Sequence, residues 1–293
     1  MNTIITTDSG MNPININTMI PGQIIENDLV CYKDVFEISS KKIIEKLNKG
    51  YNFKTSSPLP VDYYSMFERY INKYNIIHLS MSSGISDGSI NLSRLIADEF
   101  NEEYQNKIYV VDTMTGATGG TLINEIANNL VKKDISAENI VKQLNIIKKQ
   151  IQTSFYVPNP QGFIRSGRNK SELCIKDKAL LISSRVSNLT GIKYRVDFNN
   201  EGNLYIKQLF RCKNSVGMLK MIKSILNDET INQFDNNYVV IGNILEKDIN
   251  MYEIYNYINS FNYFKNIINQ EINGVVAAYA SYDLCGISLL KKL

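Results

Sequence analysis

The sequence has a single histidine, His78, and four cysteines, Cys31, Cys174, Cys212 and Cys285, in 293 residues. The cysteines lie far apart and form no metal-type pair, and one imidazole cannot complete a tetrahedral set, so a structural zinc site is excluded. Scattered cysteines of this kind read as reduced thiols, which points to the cytoplasm. No apolar run reaches the roughly 18 residues that would span a bilayer. The N-terminus goes straight into Thr3-Ile4-Ile5-Thr6-Thr7-Asp8, without the basic flank and apolar core of a signal peptide. Net charge is only +3, and no basic stripe is interleaved with aromatics, so nucleic acid is not an expected partner. Nothing in the chain calls for a metal or a cofactor.

What is present suits a globular chain. Hydrophobic residues make up 44% and charged residues 21%, enough apolar material for one large domain or two of ordinary size. The stretch from Ile76 to Ser89 organises the rest. Its first half is apolar enough for a buried parallel strand, and its second half is a turn dense in hydroxyls and glycine. A helix should follow, with Ile90, Leu95, Ile96 and Phe100 on one face. A strand feeding a helix through such a turn aims backbone N–H groups and hydroxyls at one point, a ready site for an anionic head group. The plainer reading makes Ser82 or Ser86 a helix cap.

Thr3–Thr7 reads as a strand, with Asp8-Ser9-Gly10 turning at its C-terminal end, where ligands gather in open α/β sheets. Residues 11–38 read as irregular. Ser39 or Ser40 can cap a helix over Lys41–Lys49. Thr55-Ser56-Ser57-Pro58 is extended, because the residue before proline avoids the helical region. Further helices are predicted over Val61–Tyr74, through Leu122, Ile126 and Leu130, and through Ile140, Leu144, Ile147 and Ile151, with a strand at Ile108–Thr113. Strand and helix therefore alternate through residues 1–157, an α/β first domain with a parallel sheet and flanking helices. Pro158-Asn159-Pro160 marks the boundary. Residues 158–293 read as a smaller α+β domain with antiparallel strands. Its hairpin runs Ile192–Phe198, Asn199-Asn200-Glu201-Gly202, then Asn203–Phe210, with one wet face. Helices at about Ser215–Leu226 and Asn250–Phe261, and strands at Tyr238–Ile241 and Val275–Ala280, complete it.

Several short motifs, in this order, resemble the DegV family of bacterial fatty-acid-binding proteins over nearly the whole length. They are Thr6-Thr7-Asp8-Ser9, Thr55-Ser56-Ser57-Pro58, Ser82-Ser83-Gly84-Ile85-Ser86, Val110-Val111-Asp112-Thr113, Gly167-Arg168, Gly191-Ile192-Lys193 and Arg211. The resemblance implies two α/β-type domains, a long acyl chain buried in a tunnel, and a carboxylate held near the domain junction. Its holders would be Thr55 and Ser86 with neighbouring backbone, including Ser56. It also implies, for some members, presentation of the fatty acid to a separate fatty-acid kinase, with two arginines near the head group matching Arg168 and Arg211. The protein itself would not be an enzyme.

Three departures stand out. Asp87-Gly88 follows Ser86 where the family has Gly-Thr, and a carboxylate there would repel a ligand carboxylate unless it points away or is protonated. Tyr279 replaces the family's histidine, and a phenol titrating near ~10 cannot copy a histidine's proton handling. Tyr194 stands where the family has proline. Thr55, Ser56, Ser86, Asp87, Gly88, Arg168, Arg211 and Tyr279 are thus the expected ligand-site residues. Two alternatives stay open. One is a protein of the same fold that has lost acyl binding and serves interaction or regulation. The other is a hydrolase using Ser82, Ser83 or Ser86 with His78 as base. Asp8 and Asp112 end neighbouring strands and read as turn residues.

Overall fold

β-branched residues open the chain, and they form its first strand. The computed structural model describes residues 2–158, 191–244, 251–279 and 284–292. β1 (Thr3–Asp8) is followed by three short strands, β2 (Met19–Ile20), β3 (Gln23–Glu26) and β4 (Val30–Lys33). The sequence reading leaves this region irregular. Strands of two to four residues carry too little periodicity to register, and they exist here through non-local pairing. α1 (Ser40–Asn48) is capped by Ser39, whose Oγ accepts from the Lys42 N–H at 3.3 Å. β5 (Phe53–Ser56) pairs antiparallel with β3, giving a three-stranded sheet ordered β4-β3-β5.

α2 (Pro60–Ile71) begins on proline, which needs no N–H acceptor there, and buries Tyr63, Phe67 and Ile71 at helical spacing. β6 (Asn75–Ser80) is buried along its whole length. α3 (Ser83–Glu103) buries Ile90, Ile96 and Phe100 but leaves Leu95 60% exposed. Leu95 therefore falls off the apolar face assigned to it from the sequence. β7 (Ile108–Asp112), α4 (Thr118–Val131) and α5 (Ala137–Ile147) complete the alternation. The resulting sheet is ordered β2-β1-β6-β7 and is parallel throughout. The chain reverses its winding direction at β1 and β6, so a crevice opens at their C-terminal ends.

The second sheet has six strands. β8 (Ile151–Val157), β9 (Ile192–Phe198), β10 (Leu204–Arg211), β11 (Phe234–Ile244), β12 (Asn266–Glu271) and β13 (Leu284–Lys291) are ordered β10-β9-β8-β13-β11-β12. All neighbours are antiparallel except β11 and β12. A boundary at 157/158 places β8 in the first domain, whereas this strand lies between β9 and β13 in the second sheet. Ile151 opens this strand and does not extend the preceding helix. α6 (Asn214–Ile225) and α7 (Met251–Asn259) cover one face, where Met218, Met221, Ile222, Ile254 and Ile258 pack on Ile241, Ile287 and Leu289.

Two expectations fail for non-local reasons. Of the strand expected at Val275–Ala280, residues 275–279 form none, since Gly274–Ala277 are a one-turn helix, α8. A short apolar run cannot declare its own class, and the Asp34 carboxylate decides it by accepting from the Gly274 N–H at 2.8 Å. The hairpin also lacks a wet face on β9. Lys193, Arg195 and Asp197 are each less than 9% exposed, because β9 has a strand on both sides. The turn itself follows the sequence: the Asn199 side chain accepts from the N–H groups of Glu201 and Asn203, both at 2.9 Å. Gly202 is required there. Its φ is +77°, and a Cβ would collide with the Ser82 hydroxyl, which donates to the Gly202 carbonyl at 2.7 Å.

His78 is fully buried in β6. Its Nδ1 lies 3.1 Å from the Thr6 hydroxyl, and the rings of Tyr63 and Phe67 meet it edge-on at 5.5 and 5.7 Å. Burial pulls its pKa down to about 3 from 6.5, so the unfolded chain takes up a proton between these limits that the folded chain refuses. Stability from this group is therefore lost as pH falls. Replacing His78 by Leu should make the variant gain on the parent by roughly 1.4 kcal/mol per pH unit between about pH 6 and 4. Urea unfolding across that range measures it, and parallel curves would refute it.

Candidate functional site

The crevice at the ends of β1 and β6 opens into a partly enclosed cavity. The four-stranded sheet supplies its floor through Asp8, Ser9 and Gly10 at the end of β1 and Met81 after β6. Thr55, Ser56 and Pro58 come from β5 and the bend behind it, and Ile85, Ser86 and Ser89 from the start of α3. The second sheet contributes Phe155, Phe198 and Leu204, and α8 with the turn after it contributes Val275, Val276 and Tyr279. The hydroxyl groups gather on β5 and α3, and the facing walls are apolar. Both hydroxyl-rich bends of the sequence therefore face one cavity.

The polar end is joined by hydrogen bonds. The Thr55 N–H donates to the Tyr279 hydroxyl at 3.0 Å, and the Thr55 Oγ1 lies 2.9 Å from the same oxygen. Ser86 Oγ is 2.7 Å from Ser89 Oγ, which in turn donates to Ser57 Oγ at 3.1 Å. Ser82 caps α3, its Oγ accepting from the Gly84 N–H at 3.2 Å. Ser86 then departs from helical geometry, at φ −138° and ψ 69°. A break there restarts the helix, and the first N–H groups of the new turn begin without helical acceptors. Asp87 takes one of them, accepting from the Gly88 N–H at 2.9 Å. Ala117, at the mouth of α4, is held at φ 48° and ψ −120°, a costly conformation for a residue with a Cβ. Its N–H bond to the Gly10 carbonyl at 2.8 Å maintains it.

Two buried carboxylates stand under the site. Asp8 accepts from the Ser80 hydroxyl and the Met81 N–H, both at 3.1 Å. Burial pushes its pKa up to about 6, against the pull of those two donors. Asp34 is likewise raised to about 6 by burial, opposed by the Ser9 hydroxyl and by N–H groups of Val275 and Gly274. Asp112 is spent on its loop, accepting from the N–H groups of Ser83 at 3.2 Å and Met114 at 3.1 Å. Among the described residues, no lysine or arginine lines the cavity. An anionic group entering it would meet hydroxyls and backbone dipoles.

Of the residues expected at the site, Thr55, Ser56, Ser86 and Tyr279 line the cavity together. Asp87 and Gly88 are exposed and lie outside the lining. Arg168 falls outside the described residues. Arg211 is exposed at the far end of β10, paired with Ile192, whereas Leu204 at the hairpin tip touches the cavity. Seven residues of strand, roughly 23 Å, separate the two. The sequence reading misses Ser89, although its spacing from Ser86 places both on one helix face. The apolar walls at Phe155, Phe198, Leu204, Val275 and Val276 carried no local signal. His78 is absent from the lining, so it cannot serve the cavity serines as a base.

A family model described as an uncharacterised protein of the DegV family matches residues 7–292. The chain belongs to the DegV family. A DegV domain-containing protein of Staphylococcus aureus (strain COL) is 26% identical over 269 residues, covering 89% of this chain and 87% of that protein. Another, from Ureaplasma parvum, is 29% identical over 153 residues, and the match spans about half of each chain, 51% and 49%. Among solved structures, a DegV family protein from Thermus thermophilus described by its fatty-acid binding superposes with a TM-score of 0.83 at 18% identity, covering 100% of both chains. The fatty acid kinase B3 protein of Streptococcus pneumoniae, loaded with linoleic acid, gives 0.80 at 19% identity, again over 100% of both. These likenesses establish that the DegV fold is shared.

The Asp8 carboxyl offers a test of the site's electrostatics. Its raised pKa means the folded chain holds a proton that the unfolded chain has released, so stability from this group is lost as pH rises from about 4 to about 6. Asp8→Asn should gain on the parent by about 3 kcal/mol between pH 4 and pH 7. Chemical denaturation at the two pH values measures the difference, and a constant offset would contradict the assignment.

Proposed function

We propose that this protein binds a long-chain fatty acid, with the acyl chain against the apolar walls of the cavity and the carboxylate at Thr55 and Ser86. The observation that carries this is a cavity lined from the ends of β1 and β6, from β5 and from the six-stranded sheet, with hydroxyls at one end and apolar walls facing them. The solved relatives described with bound fatty acids support it. Each buried methylene contributes about 0.8 kcal/mol, so a long tail can supply most of the affinity. The carboxylate must then be satisfied, because a stranded buried charge costs more than the tail gains. Hydroxyls and N–H groups do this through charge-assisted hydrogen bonds. Ser89 and Tyr279 complete the cradle, and Ser56 lines its rim.

The reading in which acyl binding is lost takes its force from Asp87 beside the head group. Asp87 is exposed and turned onto the Gly88 N–H, so this objection has no geometric support. We also infer that the loaded protein serves a separate fatty-acid kinase and is not itself an enzyme. The structural likeness to the Streptococcus pneumoniae kinase B3 protein supports this role. Free thiols at Cys31, Cys212 and Cys285 fit a cytoplasmic location, and no helix of the described residues is long and apolar enough to cross a membrane.

Native mass spectrometry of freshly purified protein should show a co-purifying fatty acid. Thr55→Val and Ser86→Ala should each weaken fatty-acid binding about tenfold or more, the worth of one hydrogen bond to a charged group. An empty protein, or variants that bind as the parent does, would overturn the reading. Acyl-phosphate formation with a fatty-acid kinase and ATP tests presentation. Tyr279→His should raise its rate, because an imidazole titrates near neutrality and a phenol does not.

A further inference from the structure

A second, polar cavity lies on the six-stranded sheet, sharing only Phe198 with the lining of the acyl site. Strand alternation puts Arg195, Asp197 and Gln152 on the face that carries Tyr156 and Leu289 farther into the core. Its cationic side chains come from separate elements: Lys149 just before β8, Arg195 on β9, Lys207 on β10 and Lys291 on β13. Asp197 is the one carboxylate among the lining residues. Four positive groups against one negative leave a local excess of three.

The pairing within the cavity is already spent. Arg195 is 8% exposed and Asp197 6%, and the guanidinium grips the carboxylate through Nε at 2.9 Å and Nη2 at 2.7 Å. The Arg195 charge thus offsets the Asp197 charge, and Asp197 forms no ion pair with the lysines among the described residues. Among the described residues, the third guanidinium nitrogen has no hydrogen bond. Lys149, Lys207 and Lys291 form no ion pair among the described residues. Lys207 only lies over the Tyr205 ring, at 6.0 Å. Like charges that converge from three elements repel one another and hold a positive potential in a partly walled space. The amides of Gln152, Asn199 and Asn200 add hydrogen-bonding groups at the rim.

We propose that this cavity is a second binding site, for a small soluble polyanion that carries a di- or triphosphate group. One carboxylate would offset only part of the excess, whereas a pyrophosphoryl group matches it in charge. Lysine and arginine donors suit phosphate oxygens. Phe198 lines both this site and the acyl cavity, whereas the charged groups here belong to this site alone.

Calorimetric titration of the full chain with inorganic pyrophosphate at low ionic strength tests the proposal. Saturable one-to-one binding is expected, weakening as salt is added. The exposed triple variant Lys149→Gln, Lys207→Gln, Lys291→Gln should lose at least tenfold in affinity, with its circular dichroism and fatty-acid binding unchanged. No saturable binding, equal binding by the triple variant, or equal binding of sulfate at matched ionic strength would overturn it. A parallel arm uses phosphatidylglycerol vesicles. Sedimentation of the parent but not of the variant, without pyrophosphate binding, would assign the charge to a lipid headgroup and refute a soluble ligand.

Discussion

Backbone groups near residue 272 find their partners more than 230 positions earlier in the chain, and the cavity exists because they do. Asn12 sits in the left-handed region at φ 53°. Its side chain donates to the Glu271 carbonyl at 3.1 Å and accepts from the Asn273 N–H at 2.6 Å. Asn273 returns the contact by donating from Nδ2 to the Ser9 carbonyl at 2.9 Å, and Asp34 takes the Gly274 N–H. A Cβ on Gly274 would come within 2.5 Å of the Asp34 carboxylate, so the fit admits only glycine. Buried N–H and C=O groups left without partners would each cost about 1–3 kcal/mol. This lattice therefore ties the second sheet to the loops after β1. It also carries α8 to the cavity, where Tyr279 meets Thr55.

That tie explains which parts of the molecule could be read in advance. Thr55 and Ser86 stand in short local motifs whose geometry is set by their neighbours, a proline after the first and a capped helix start around the second. Both line the one cavity. α8 could not be read, because its helical state depends on a carboxylate 240 residues away. β9 misled for a related reason. Its alternation of Lys193, Arg195 and Asp197 with Ile192, Tyr194, Val196 and Phe198 is the pattern of a wet face, and it is equally the pattern of a buried ion pair. Only the strand on each side distinguishes them. The cavity walls were hidden differently. Phe155 and Val276 announce themselves as inward-facing, but inward is the same signal whether the side chain meets another side chain or an open space.

The electrostatics of the cavity set what kind of head group it tolerates. A site built on arginine would pair strongly with an ionised carboxylate and would leave a buried cation unpaired when empty. A hydroxyl site has no such cation to strand: Ser86, Ser89 and Ser57 bond to one another and Thr55 bonds to Tyr279. These groups can also turn, donating to an ionised acid or accepting from a protonated one. Asp8 beneath them reinforces the preference. A carboxylate already raised to about 6 by burial would be raised further by a second negative charge nearby, and taking up a proton removes the repulsion. For the proposed fatty acid, hydroxyl and backbone donors would orient the head group while the buried tail supplied most of the affinity.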